Sequence, residues 1–279
     1  MHRLWCHQSR LWYHQSRLWC HQSFTSTVRL YSGAELAALK SECERIVGPI
    51  YVHDPLDSDT SKYTNDWTKS YSGGDLVVKP KGTEEVSKVL TYCHKHRISV
   101  VPQGGNTGLV GGGVGKFTSG TLQLIVSLER MNRILCIDAM AATVTCESGV
   151  VLEALNNEVE KYDLIVPLDL GAKGSCMIGG NVATNAGGLR VVKYGSMHSN
   201  VLGLEVVLAD GTVLDMLRTI HKDNTGYPLK HLFIGSEGTL GIITKVALSL
   251  ATKPSYTSII LAKVASFAHV QQLLTYTRR

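Results

Sequence analysis

No apolar run in this 279-residue chain reaches the roughly 18–20 residues that a membrane-spanning helix needs. No pair of cysteines falls at C-x-x-C spacing. Cys6, Cys20, Cys43, Cys93, Cys136, Cys146 and Cys176 are scattered and odd in number, which fits free, mostly buried thiols in a reducing compartment and not a disulfide framework. Acidic side chains are missing from positions 1–34, which hold four arginines, while the rest of the chain carries 24 bases against 23 acids. The net charge of +5 therefore sits almost entirely in the first segment, and the near-neutral body lacks the basic face of a nucleic-acid binder. Neither H-x-x-x-H nor H-E-x-x-H occurs, so no metal ligands are assigned. His94 and His96 fall at the end of an expected helix as surface residues, and His198 and His221 read as lone structural histidines.

The acid-free start contains three copies of one heptad over residues 3–23, RLWCHQS, RLWYHQS and RLWCHQS. The period is that of a coiled coil, but the copies are few and lack an aliphatic a/d seam. An Arg-containing, Ser-containing, acid-free segment is the composition of a mitochondrial transit peptide. A translated low-complexity repeat without function is the other reading. The Cys-His neighbours inside each unit are adjacent, which is not zinc-ligand spacing.

From Ala34 the pattern becomes globular. Residues 34–47 predict a helix stopped by Gly48. Residues 75–79 predict a buried strand, followed by a helix capped by Thr83. Its Val86, Val89, Leu90 and Cys93 stand at i, i+3, i+4 and i+7. A strand over 98–101 completes a β-α-β unit with parallel strands. Further strands are expected over 122–128, 133–138, 143–147, 201–208, 213–217, 241–250 and 257–264, with a helix over 149–162 and another beginning at Ser266. Asp210-Gly211 is a hairpin turn signal. A β-α-β start followed by a run of strands predicts an α+β fold, not a doubly wound sheet.

Three glycine-rich stretches carry the chemistry. Residues 102–113, PQGGNTGLVGGG, follow the strand ISVV directly. Glycine lets backbone amides approach an anion closely, and successive turn amides form a nest of donors; Asn106 and Thr107 add side-chain donors. The stretch is no P-loop, because Gly115-Lys116 is followed by Phe117, and it lacks the G-x-G-x-x-G that opens a dinucleotide-binding helix. Residues 167–188, PLDLGAKGSCMIGGNVATNAGG, are too apolar for a solvated linker and read as backbone lying on a flat, partly apolar ligand. Residues 234–243, IGSEGTLGII, contain Glu237, which fits either an acceptor for a ribityl or ribose hydroxyl or an ordinary exposed turn acid.

These three stretches, in this order, resemble the FAD-binding domain of the vanillyl-alcohol oxidase / p-cresol methylhydroxylase superfamily. With Leu189-Arg190, Lys193-Tyr194-Gly195 and GLEVVLADGTVL they resemble in particular the D-2-hydroxyglutarate dehydrogenases and their D-lactate dehydrogenase relatives. The resemblance covers roughly residues 34–279 and implies FAD across two α+β subdomains. It places the cofactor against Gln103, Gly104, Gly105, Asn106, Thr107, Gly108, Gly111 and Gly112 of the first stretch. From the second it implies Pro167, Gly171, Gly174, Ser175, Gly179, Gly180, Asn181, Thr184, Asn185 and Gly187, and from the third Glu237, Gly238, Gly241 and Ile242. The pyrophosphate would lie at the first stretch and the isoalloxazine near the other two. Asn106 stands where some members tether the flavin through histidine, which implies a non-covalent cofactor.

The implied reaction oxidises a D-2-hydroxyacid to a 2-oxoacid by hydride transfer to the flavin. Electrons then pass to an acceptor such as electron-transfer flavoprotein, in the mitochondrial matrix. D-lactate or another D-2-hydroxyacid as substrate, and a non-catalytic flavin-binding or interaction form, stay open. The substrate pocket, catalytic residues and a divalent metal belong in the family to a C-terminal half that contains G-H-x-G-D-G-N, a stretch not found in this sequence. The expected division is 1–31, address or repeat; 32–70, helical lead-in; 71–252, FAD-binding domain; and 253–279, the start of a truncated substrate domain.

Overall fold

The computed structural model describes residues 31–54, 60–115 and 121–277. The heptad repeat, and with it the reading of an import signal, lies outside the described residues, as do Cys6 and Cys20. Helix α1 (Gly33–Val47) begins with a capping box in which the Ser32 side chain and the Glu35 backbone and carboxylate satisfy one another, and it ends at Gly48. It buries Leu39, Cys43 and Val47 on the first of the two larger sheets.

That sheet runs β1 (Val52–His53), β2 (Leu76–Val78), β4 (Gln123–Ser127), β3 (Ser99–Gln103). Helix α2 (Thr83–His96) connects β2 to β3 and buries Val86, Val89, Leu90 and Cys93, the face expected from their spacing. β2 and β3 do point the same way, yet they are not neighbours. Each pairs parallel with β4, which lies between them and is buried along its whole length. Thr83 is not the cap of α2: Gly82 holds that position, and the Thr83 hydroxyl donates instead to the Glu205 carboxylate.

The second sheet is antiparallel throughout, in the order β5 (Ile134–Asp138), β6 (Thr143–Glu147), β10 (Ile242–Ser249), β8 (Val201–Val207), β9 (Val213–Met216). The β8–β9 hairpin turns at Asp210-Gly211, with Gly211 at φ 90. Helix α3 (Leu152–Val159) is shorter than the expected 149–162 and passes into a 3-10 turn over Glu160–Tyr162. A two-residue strand β7 (Leu164–Ile165) pairs with β11 (Ala251–Thr252). The second glycine-rich stretch is not all loop: Ile178–Ala183 forms a helix, α4. The strand expected over 257–264 does not form among the described residues. Its side chains stand in solvent, Ile259 at 94% and Leu261 at 100% exposure, before the final helix α5 (Phe267–Thr277).

Each of the two larger sheets carries its own apolar core, and the architecture is thus two α+β subdomains. The first core recruits Val207 and Ile242 from the second sheet, so the halves meet along β8 and β10. Polar bonds reinforce this seam. Glu205 on β8 accepts from Thr83, from Thr244 (2.8 Å) and from Lys245 (2.9 Å). Ser87 and Thr91 on α2 donate to the carbonyls of Gly211 and Asp210. Five described cysteines are free thiols, four of them buried and Cys136 exposed.

Candidate cofactor site

A cleft of about 540 Å³ opens where the halves meet, and all three glycine-rich stretches line it. The first leaves β3 at Gln103, whose buried carboxamide donates to the Tyr63 carbonyl (2.7 Å) and the Gly113 carbonyl (2.6 Å). One side chain thus ties the end of the loop to its start. Asn106, left-handed at φ 52, donates to the carbonyls of Lys62 (3.1 Å) and Asn65 (2.7 Å). Both side chains, expected as ligand contacts, brace the loop from behind. Among the described residues, the amides from Gly104 to Gly113 find no acceptor; Val114 and Gly115 are the first to donate, to Gly111 and Gly73 carbonyls. A row of amides without partners at a concave surface is a ready anion seat.

The second stretch meets the first backbone to backbone. A Cβ on Gly105 would stand 2.0 Å from the Ser175 carbonyl oxygen. Helix α4 is locked to the end of β6 by Gly179 N–H to Ser148 O (2.7 Å) and Ile178 N–H to Val150 O (2.9 Å), and a Cβ on Gly179 would meet Ser148 Cβ at 2.5 Å. Gly108, Gly171 and Gly180 differ: they line the cleft, and a Cβ on any of them would touch nothing within 4 Å. The third stretch hangs from the end of α4 by Gly235 N–H to Val182 O (3.1 Å) and Glu237 N–H to Ala183 O (2.9 Å). Glu237 sits left-handed at φ 51, lines the cleft, and its carboxylate makes no hydrogen bond or ion pair among the described residues.

Of the expected contacts, the cleft gathers Gln103, Gly104, Gly105, Asn106, Thr107, Gly108 and Gly112 from the first stretch and Gly171, Gly179, Gly180, Asn181 and Thr184 from the second. Glu237, Gly238, Gly241 and Ile242 come from the third. Six others do not line it. Gly111 packs on the Tyr71 ring, Gly174 faces Glu153 and Gly187 faces Val191. Pro167 is buried, Ser175 lines a neighbouring depression, and the Asn185 side chain accepts from the His198 amide (2.9 Å).

Leu128, Met177 and Ile243 also line the cleft. Leu128 follows β4 and Ile243 lies on β10, so nothing in the local pattern sets them apart from core residues. Cys176 lines it as well, and burial pushes its thiol up against a weaker opposing hydrogen bond from Asn181. His198 is not a lone histidine, since its ring stacks on His231 with centroids 4.3 Å apart. His221 contacts the Ala141 carbonyl (3.3 Å). No group of three His, Cys, Asp or Glu able to hold a metal occurs among the described residues.

Comparison with known proteins follows the same outline. The FAD binding domain family matches residues 74–217. A protein named D-2-hydroxyglutarate dehydrogenase, mitochondrial, from Arabidopsis thaliana is 54% identical over 217 residues, covering 77% of this chain and 38% of that protein. Its namesake from Danio rerio is 53% identical over 220 residues, covering 78% of this chain and 40% of that protein. The chain thus spans about 40% of the length of these curated relatives. Among solved structures, an alkyldihydroxyacetonephosphate synthase superposes with a TM-score of 0.72 at 23% identity, over 89% of this chain and 46% of its own, which shows a shared fold.

Proposed function

The chain belongs to the FAD binding domain family, and on that premise we propose that its cleft holds FAD without a covalent link, in a protein that oxidises D-2-hydroxyglutarate to 2-oxoglutarate in the mitochondrial matrix. The observation that carries the cofactor reading is the cleft itself. Three glycine-rich stretches far apart in sequence converge on it, with unbonded amides on one wall and space above Gly108, Gly171 and Gly180. The relatives' names support the substrate and the compartment. Another D-2-hydroxyacid fits the same cleft, because among the described residues none lining it is a cation that would select a second carboxylate.

Bound FAD supplies the hydride-accepting chemistry. The residues of this chain bind and orient it. The amides of Gly104 to Gly108 face the pyrophosphate, α4 and the loop before it form the wall for the ring system, and Glu237 accepts from a hydroxyl of the sugar chain. Asn106 keeps the first loop in shape and forms no tether. Electron-transfer flavoprotein is the proposed acceptor.

Substrate turnover needs more than these residues. Glu237 and Cys176 are the cleft's titratable lining side chains among the described residues. No lysine, arginine or histidine there holds a carboxylate or takes the hydroxyl proton. Positioning of a substrate is worth about 7–11 kcal/mol of barrier. We therefore expect the 279-residue chain to bind FAD in preference to FMN and to show no turnover alone. The test is a flavin-fluorescence titration, then anaerobic mixing of the FAD-loaded chain with D- and L-2-hydroxyglutarate at the flavin absorbance band. Failure to bind FAD would overturn the cofactor reading. Fast bleaching specific to the D isomer would instead place a complete substrate site in this chain.

A further inference from the structure

Beside the cofactor cleft lies an open depression of about 950 Å³ that shares Gly105, Asn106, Thr107, Leu109, Gly171 and Ala172 with it. The partition between the two contains no side chain at Gly105 or Gly171, and that of Asn106 is bonded to the Lys62 and Asn65 carbonyls.

The outer wall is a tightly built loop over residues 66–71. The Asp66 carboxylate accepts from the Thr68 amide (2.9 Å), the Thr68 hydroxyl and the Tyr71 amide (2.7 Å). Backbone bonds from Asp66 N–H to Tyr71 O and from Lys69 N–H to Asp66 O, both 3.0 Å, close it. Lys69 is held left-handed at φ 58, a conformation that costs a non-glycine residue about 1–2 kcal/mol. The loop displays two side chains at the mouth of the depression: Trp67, 70% exposed, and Lys69, which makes no ion pair among the described residues. Leu109, 64% exposed, lines both the depression and the cofactor cleft, and Val110, 73% exposed, follows it on the cleft side. Among the described residues the carboxylates nearby are already engaged, Asp66 within its own loop and Glu129 with Lys62, Lys79 and Tyr63.

We propose that this depression is the docking seat of the protein that takes electrons from the reduced cofactor, a soluble redox protein with an acidic rim around its own redox group. The inference rests on the FAD reading above. An aromatic anchor beside a lysine with no ion pair among the described residues suits an acidic partner, since rim charge governs encounter rate and a buried aromatic governs hold. A second copy of this chain would set lysine against lysine. In the reaction two electrons leave the reduced cofactor, the protons bound to it pass to solvent, and the acceptor's redox group gains the same two electrons. No bond forms between the proteins.

The test compares two oxidants. The FAD-loaded chain is photoreduced and mixed anaerobically with electron-transfer flavoprotein or with ubiquinone-1, a small neutral acceptor. Lys69→Glu is expected to lower the second-order rate with the flavoprotein about fivefold at low salt, with the gap closing as salt rises. Trp67→Ala is expected to lower it comparably at every salt concentration. Neither variant should change the quinone rate, FAD occupancy or thermal midpoint, because both side chains are exposed. Unchanged flavoprotein rates in both variants overturn the proposal, and so does an equal loss with the quinone, which would place these residues on the cofactor. A wild-type chain oxidised by quinone and not by the flavoprotein overturns the docking seat and leaves the FAD reading intact. A chain that binds no FAD overturns both.

Discussion

Along the seam where the first and second loops meet, glycine is required because backbone meets backbone; on the floor of the same cleft, glycine leaves room because nothing meets it. Gly105 belongs to the seam, with the Ser175 carbonyl where a side chain would go, and Gly179 is packed as closely against Ser148 at the end of β6. Gly108, Gly171 and Gly180 belong to the floor. One residue type serves two physical roles: at the seam it holds the walls in register before any ligand arrives, and on the floor it keeps volume free. The two roles separate by experiment. Seam substitutions should cost stability in the empty protein, and floor substitutions should cost ligand affinity alone.

The largest effect is expected at the seam. Gly105→Val places a branched side chain against the Ser175 backbone, which has no flexible end to move aside. Overpacking of this kind costs about 3 kcal/mol, so denaturant unfolding of the cofactor-free chain should shift to a clearly lower midpoint. An unchanged midpoint with FAD affinity lost would move Gly105 from the seam to the floor.

A second close contact, between the two subdomains, is polar. Burial alone would raise the Glu205 carboxyl, but hydrogen bonds from Thr83, Lys245 and Thr244, with the charge of Lys245, outweigh it and hold it below the ordinary glutamate value. A depressed folded pKa means stability that is complete above the ordinary glutamate pKa and is lost as pH falls from there through the folded value. Glu205→Ala should therefore cost about 2 kcal/mol at pH 7 and should flatten the acid limb of the stability–pH curve. The same acid limb in wild type and variant would show that the Glu205 bridge contributes nothing to joining the halves.

The floor prediction is the converse. Gly180→Val enters open space, so the cofactor-free chain should keep its stability to within about 0.5 kcal/mol. FAD affinity should fall tenfold or more, about 1.4 kcal/mol. Loss of stability with affinity intact would show that the space above Gly180 is not where the cofactor lies.

Local pattern made part of this visible in the sequence. The buried face of α2 and the β8–β9 turn were legible because both are set within a few residues, by Val86, Val89, Leu90 and Cys93 in one case and Asp210-Gly211 in the other. The insertion of β4 between β2 and β3 was not, because strand neighbours are chosen by contacts far apart in the chain. Helix α4 was hidden by Gly179 and Gly180, poor helix formers whose fold is imposed by the bonds of Ile178 and Gly179 to the end of β6 and the residues after it. The β-branched run at 257–264 has the composition of a strand, but among the described residues no partner offers it a ladder. Gln103 and Asn106 were recognised as belonging to the site. Their work as braces depends on Tyr63, Lys62 and Asn65, some 40 residues earlier, which no motif points to.

The smallest effect concerns Glu237, for which the sequence leaves two readings, a ligand to a cofactor hydroxyl or an exposed turn acid. Its geometry favours the first. Its left-handed backbone, φ 51, is a conformation that asparagine tolerates better than glutamate, at a difference of up to about 1 kcal/mol. The strained residue also lines the cleft with its carboxylate unpaired among the described residues. Glu237→Asn should therefore leave the empty chain as stable as before or slightly more so, while FAD affinity falls about fivefold, near 1 kcal/mol, as the shortened side chain loses its hydrogen bond. Glu237→Gln keeps the reach and an accepting carbonyl, so its loss of affinity should be smaller than that of the asparagine variant, with stability unchanged. Titrating FAD into the three proteins and unfolding each without cofactor gives both orders. Equal affinities in all three, with asparagine still the most stable, would make Glu237 a turn acid in a poor conformation and would remove it from the cofactor contacts of the cleft.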